Sequence, residues 1–185
     1  MVRPFTILIH IYFTKNLMNY VNITEPDINN GNGCRATIWF AGCSHNCKGC
    51  HNTWLQNYHL GIHIDSLYNE INTMFQKKTY LDGITLSGGD PLAQSLSNLN
   101  DLYDFVKWFK TTHPDKTIWI YTGFVIEDIL NEKDTEIGQA RLNIIKECDT
   151  LVDGPFIEEL KDLSLPFRGS SNQRIIDVEL NKFHW

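Results

Sequence analysis

The stretch AGCSHNCKGCHN, residues 41–52, sets three cysteines, Cys43, Cys47 and Cys50, inside eight positions. It follows directly on RATIWFA, residues 35–41, a short apolar run that reads as a β-strand. Three thiolates at C-x3-C-x2-C spacing can clasp a metal or a cluster. Structural zinc and most iron–sulfur sites, however, take four protein ligands. Either His51 supplies the fourth ligand or one coordination position is left open.

The chain has five cysteines. An odd number, three of them crowded together, does not make a disulfide framework, so a reducing cytosol and a metal or cluster are expected. Cys34 and Cys148 each stand just ahead of an apolar strand pattern and read as small buried hydrophobes. A length of 185 residues with 42% hydrophobic content fits one domain with a proper core. Net charge is −6 and the basic residues are scattered, which removes the electrostatic case for a DNA or RNA partner. The apolar run from Phe5 to Phe13 is too short to span a bilayer and lacks a small-residue cleavage site, so no membrane anchor is expected. Met18 opens the part that looks like a domain. Residues 1–17 are expected to be an extension outside it, and residues 18–185 a single domain.

Outward from the cysteines, HIDSLYNEINTMFQKK (63–78) carries Ile64, Leu67, Tyr68, Ile71, Met74 and Phe75 at helical spacing, with Asp65 or Ser66 as a cap. GITLS (83–87) reads as a strand running into Gly-Gly-Asp-Pro. A helix is expected over 94–112. TIWIY (117–121) is a strand that stops at Thr122-Gly123. Short helices over 126–130 and 137–147 precede DTLVDG, a strand ending at Asp153-Gly154. The tail is loop-like to Asn172 and β-like from Arg174. This alternation predicts parallel βα units whose polar loops share the carboxyl rim, where such folds bind ligands. A lone Gly-Gly-Asp is usually only a tight turn. Three polar loops on one rim are more informative.

C-x3-C-x2-C after an N-terminal strand, followed by Gly-Gly-Asp, resembles the signature of the radical S-adenosylmethionine enzymes. The series NGNGCRATIWFAGCSHNCKGCHNTW, LSGGDPL, IWIYTGF, LVDGPF and RGSSNQR, spanning about Met18 to Arg174, resembles the activating proteins of anaerobic (class III) ribonucleotide reductase. These are glycyl-radical-enzyme activases. The resemblance implies an α/β fold of the partial, TIM-like βα barrel type with mostly parallel strands. It also implies that Cys43, Cys47 and Cys50 hold three irons of a 4Fe-4S cluster, the fourth being chelated by the amino and carboxylate groups of S-adenosylmethionine.

Residue by residue, Gly49 stands where many members of the superfamily carry an aromatic side chain against the adenine. His51 would take that contact, with Gly49 and Asn52 beside the cofactor. Gly88 and Gly89 would admit the methionine part without a Cβ, and Asp90 would offer its carboxylate to the ammonium. Ser87, Tyr121, Arg168 and Asn172 are candidates for cofactor or partner contact. An electron from a donor such as flavodoxin would cleave S-adenosylmethionine. The resulting 5′-deoxyadenosyl radical would take a hydrogen from a glycine of the large catalytic subunit of the reductase and leave a glycyl radical. Two other readings stay open: an activase of the pyruvate formate-lyase type, and a Cys3His zinc-binding interaction module.

Overall fold

Alternating apolar side chains along a few short strands build the centre of the molecule, in a computed structural model that describes residues 18–180. The expected extension, residues 1–17, lies outside the described residues. The strands are β1 (Asn19–Asp27), β2 (Arg35–Phe40), β3 (Ile62–His63), β4 (Gly83–Gly88), β5 (Thr117–Tyr121), β6 (Thr150–Asp153) and β7 (Arg174–Asp177). The helices are α1 (Asp65–Lys77), α2 (Leu96–Thr112), α3 (Ile126–Asn131) and α4 (Glu136–Glu147). All strands join one sheet in the order β3-β1-β2-β4-β5-β6-β7.

β2, β4, β5 and β6 pair in parallel, as the βα alternation predicts. β1 lies antiparallel on β2, β3 on β1, and β7 on β6. Most strands therefore run one way, and the sheet is open, with β3 and β7 at its edges. β1 was not expected as a strand, because NYVNITEPD is polar along its exposed side and carries a proline. β3 has two residues and leaves no pattern. The α1 start also differs from expectation. Asp65 is its first residue, Ile64 precedes it, and no side chain caps it.

The two faces of the sheet differ in chemistry. Ala36, Ile38 and Phe40 of β2, Ile84 and Leu86 of β4, and Ile118 and Ile120 of β5 share one core with Leu67 and Ile71 of α1, Leu99 and Phe105 of α2, and Leu142 and Ile145 of α4. The alternate residues Arg35, Thr37, Thr85, Trp119 and Tyr121 point the other way, where loops cover them. Thr85 Oγ1 donates to the Asn30 carbonyl, Tyr121 Oη donates to the Phe167 carbonyl, and the Trp119 ring meets Phe167 edge-on at 5.4 Å. Among the described residues no helix is long and apolar enough to cross a membrane.

On that loop-covered face Arg35 is 1% exposed. Among the described residues no carboxylate forms an ion pair with it. Its guanidinium donates to Thr85 Oγ1 (2.7 Å), Thr117 Oγ1 (2.9 Å), and the carbonyls of Asn32 (3.1 Å), Ile84 (2.5 Å) and Thr117 (3.0 Å), beside the Trp119 ring. Burial brings its pKa down to about 10. The planar fork is what reaches five acceptors on β4, β5 and the turn before β2, and an ammonium group cannot do so. Arg35→Lys should therefore lower stability by roughly 2–4 kcal/mol, since charge stays buried while acceptors lose their donors. Urea denaturation is expected to show a lower midpoint at an unchanged slope; a midpoint equal to that of the parent would contradict this role.

Candidate functional site

β2 ends at Phe40, and residues 41–52 leave it without helix or strand. β4 ends in the Gly88-Gly89-Asp90 loop, which zips onto the root of the cysteine loop. Gly89 N–H donates to the Phe40 carbonyl and Asp90 N–H to the Gly42 carbonyl, each at 2.8 Å. A Cβ on Gly88, whose φ is +118°, would stand 2.4 Å from Phe40 N; one on Gly89 would stand 2.3 Å from Gly42 O and 2.9 Å from Leu55 O. The expectation tied both glycines to the cofactor, but backbone packing between two loops already requires them. Buried Gln94 completes the joint, its Nε2 donating to the carbonyls of Ala41 (3.0 Å), Gly42 (3.2 Å) and Asp90 (3.0 Å). The Gly42 and Asp90 carbonyls also accept the backbone N–H groups of Asp90 and Ala93, so the buried amide adds to backbone bonds already at the joint.

Above this joint lies a cleft of about 190 Å³ lined by Cys43, His45, Cys47, Cys50, Asn52, Ser87, Gly88, Gly89, Asp90, Tyr121, Thr122, Gly123, Gly154, Phe156 and Gln173. The cysteine, Gly-Gly-Asp and Tyr-Thr-Gly loops thus meet on one rim, as the strand order predicts. The three cysteines are free and half-buried. Burial, with the charges of Asp90 and Cys47, pushes the Cys43 thiol up to about 11, against the pull of the backbone N–H groups of His45 and Asn46. Asn52 N–H lies 3.4 Å from Cys50 Sγ. Among the described residues no three His, Cys, Asp or Glu side chains converge on a point that would hold one ion.

Asp90 is 2% exposed and turns inward. Its Oδ2 accepts from His45 Nε2 (2.6 Å), Thr122 Oγ1 (2.9 Å) and Gly123 N (2.8 Å), and its Oδ1 from Leu92 N (2.8 Å). The carboxylate expected to face an ammonium is thus largely engaged by the protein. His51 is not among the residues lining the cleft; it lines an adjoining slot of about 250 Å³ together with Cys50, Tyr121, Phe156, Leu163 and Gln173. Its ring stands edge-on to Phe156 at 6.2 Å. Gly49 (φ +73°) faces the Glu158 side chain, 2.9 Å from where its Cβ would be. Arg168 lies in a wider groove of about 700 Å³ with Asn29, Asn30, His51, Tyr121 and Leu163. Asn172 instead donates through Nδ2 to the Pro155 carbonyl (2.8 Å). Cys148 is buried and donates to the Ile144 carbonyl, and half-buried Cys34 packs on the core.

The tail motif proves to be half of a lock. Gln173 Oε1 accepts from Gly169 N and Ser170 N, and its Nε2 donates to the Gly154 carbonyl (3.1 Å). Ser170 Oγ accepts from Ile157 N (3.2 Å). Arg174 Nε donates to Asp153 Oδ1 (2.9 Å), and Asp153 Oδ2 accepts from Ile126 N (2.9 Å) at the start of α3. RGSSNQR and LVDGPF therefore fasten each other along the far wall of the cleft. His45, Gln94 and Phe156 were not singled out from sequence; Thr122 and Gly123 entered only as a polar rim loop and Gln173 only within the polar tail motif. A signal existed for two of them, His45 by its place inside the cysteine spacing and Gln94 by standing one helical turn after Asp90.

A family model described as a 4Fe-4S single cluster domain matches residues 29–176, from the turn before β2 into β7, which takes in every loop of the cleft. The anaerobic ribonucleoside-triphosphate reductase-activating protein of Haemophilus influenzae is 37% identical over 160 residues, covering 85% of this chain and 97% of that protein. The chain belongs to this family. The proteins of the same name from Escherichia coli K12 (37% over 161 residues; 84% of this chain and 96% of that one) and Enterobacteria phage T4 (35% over 159 residues; 85% and 93%) share it at nearly the same length.

Because the Gly-Gly-Asp loop is seated on Gly42 and Leu55, Gly89→Ala should loosen the cysteine loop as well as the loop that carries it. Thermal unfolding is expected to fall by several degrees, and bound iron after anaerobic reconstitution to fall with it. Full iron content at unchanged thermal stability would mean that the contact carries no structural weight.

Proposed function

We propose that this protein activates an anaerobic ribonucleotide reductase as a radical S-adenosylmethionine oxidoreductase, creating a glycyl radical on the large catalytic subunit. The observation that carries the reading is the cleft itself: three free thiols and the Gly-Gly-Asp backbone line one cavity, and among the described residues no fourth cysteine lines it and its one imidazole, His45, is bound to Asp90. Cys43, Cys47 and Cys50 would hold three irons of one 4Fe-4S cluster, each thiol losing its proton as iron binds. Backbone N–H groups at Cys43 and Cys50 suit thiolate charge and tune the potential of such a cluster. With S-adenosylmethionine on its open iron, the reduced cluster would supply reductive cleavage of the sulfonium and hydrogen abstraction from glycine.

The chain's own groups divide that cofactor's recognition. The backbone of Gly88 and Gly89, with Asn52, lies beside the thiols and suits the methionine end; Asp90 would act on the ammonium through Oδ1, since Oδ2 is committed to the loops. His51, Phe156 and Gly49 suit the adenine side. Tyr121 walls both spaces, Arg168 lines the groove beyond it, and Asn172 supports the wall. The open sheet reads as an arc of the incomplete βα barrel of this superfamily, within a single domain taken to run over residues 18–185 and working in the cytoplasm with a donor such as flavodoxin. The names of the relatives favour a reductase over pyruvate formate-lyase as the partner. A Cys3His zinc knuckle has little support, because His51 is not among the residues lining the cleft shared by the three cysteines.

Mixed anaerobically with the reductase large subunit, a reductant and S-adenosylmethionine, the protein should raise an electron paramagnetic resonance doublet on the partner. Cys43→Ala, Cys47→Ala and Cys50→Ala should each abolish it together with the cluster, while Cys34→Ala and Cys148→Ala should leave both. A doublet surviving in any loop variant, or zinc without sulfide in the purified protein, would overturn the proposal.

A further inference from the structure

The cysteine loop is irregular from Cys43 to Cys50, so something other than secondary structure must fix the thiols relative to the Gly-Gly-Asp loop. His45 stands in the middle of that loop, two residues from both Cys43 and Cys47. Its Nε2 reaches Asp90 Oδ2 at 2.6 Å, and the same oxygen takes Thr122 Oγ1 and Gly123 N from the end of β5. The imidazole is three-dimensionally boxed in. Its ring meets Phe124 edge-on at 4.6 Å, Phe124 lies under the Arg141 guanidinium at 4.1 Å, and a Cβ on Gly123 would stand 2.6 Å from the His45 ring. The glycine after Thr122 is thus required by the imidazole.

We infer that His45 is a positioning residue whose Nε2–H strut to Asp90 sets the distance between the thiol-bearing loop and the loop proposed to hold the methionine end. The inference rests on the cluster and cofactor reading given under Proposed function. A carboxylate held by three donors from two loops cannot follow one of them without releasing the others, so the strut couples the loops rather than merely filling space. Loss of it should leave each loop present but out of register.

The geometry of the imidazole supplies the test. A glutamine amide nitrogen can reach the place of Nε2, whereas an asparagine amide reaches only that of Nδ1. In anaerobically reconstituted protein, His45→Gln is expected to keep parental affinity for S-adenosylmethionine and the parental change in the reduced cluster's paramagnetic spectrum when it is added. His45→Asn should retain iron and sulfide yet bind about tenfold more weakly and lose that spectral change. Thr122→Val, which removes one donor at constant volume, should fall between them and guards against a folding defect at position 45. Equal affinity in all three variants, or His45→Gln failing as badly as His45→Asn, would overturn the strut while parental binding upholds the cofactor reading. A parent that holds a cluster but does not bind S-adenosylmethionine overturns the reading and the strut with it.

Discussion

The carboxylate of Asp90 is the point at which three strand ends are tied. Oδ2 receives donors from the cysteine loop and from the loop after β5, while its own backbone N–H is bound to the Gly42 carbonyl. A buried carboxylate left short of donors is strongly unfavourable, so the loops that satisfy it are held by the demand of one group. The flanking glycines follow from the same constraint. Gly88 and Gly89 bring the carboxylate's own backbone against Phe40 and Gly42, and Gly123 clears the space that the His45 ring fills.

This arrangement depends on a sheet whose faces have been divided. Helices cover the Ile- and Leu-rich side, which carries the burial that holds the domain together. The opposite side carries Arg35, Thr37, Thr85, Trp119 and Tyr121, and among the described residues loops lie over it. A face finished by loops can hold cavities, and the cleft, the slot beside His51 and the groove beside Arg168 all touch Tyr121 at its carboxyl rim. Parallel order through β2, β4, β5 and β6 brings the ends of β2, β4 and β5 to that rim.

Much of this was legible in the sequence for physical reasons. GITLS and TIWIY alternate cleanly between turn residues, and the apolar spacing of α1 and α2 is regular, so both periods could be read. The convergence of three loops followed from strand order alone. β1 escaped because its exposed positions are polar, and β3 because two residues make no period. The sequence offers Asp90 as a carboxylate on the rim but does not show that Thr122, Gly123 and His45 supply its donors from 32 to 45 positions away. The purpose of RGSSNQR was hidden for the same reason: Gln173 and Asn172 satisfy Gly154 and Pro155 nearly twenty residues earlier.

The central claim is that three thiolates hold three irons and leave a fourth open beside the Gly-Gly-Asp loop. Mössbauer spectroscopy of protein reconstituted with iron-57, recorded before and after adding S-adenosylmethionine, addresses it most directly. The account predicts that one iron site in four changes its parameters on addition while the three held by Cys43, Cys47 and Cys50 stay as they were. Four sites that remain alike in both spectra would contradict it.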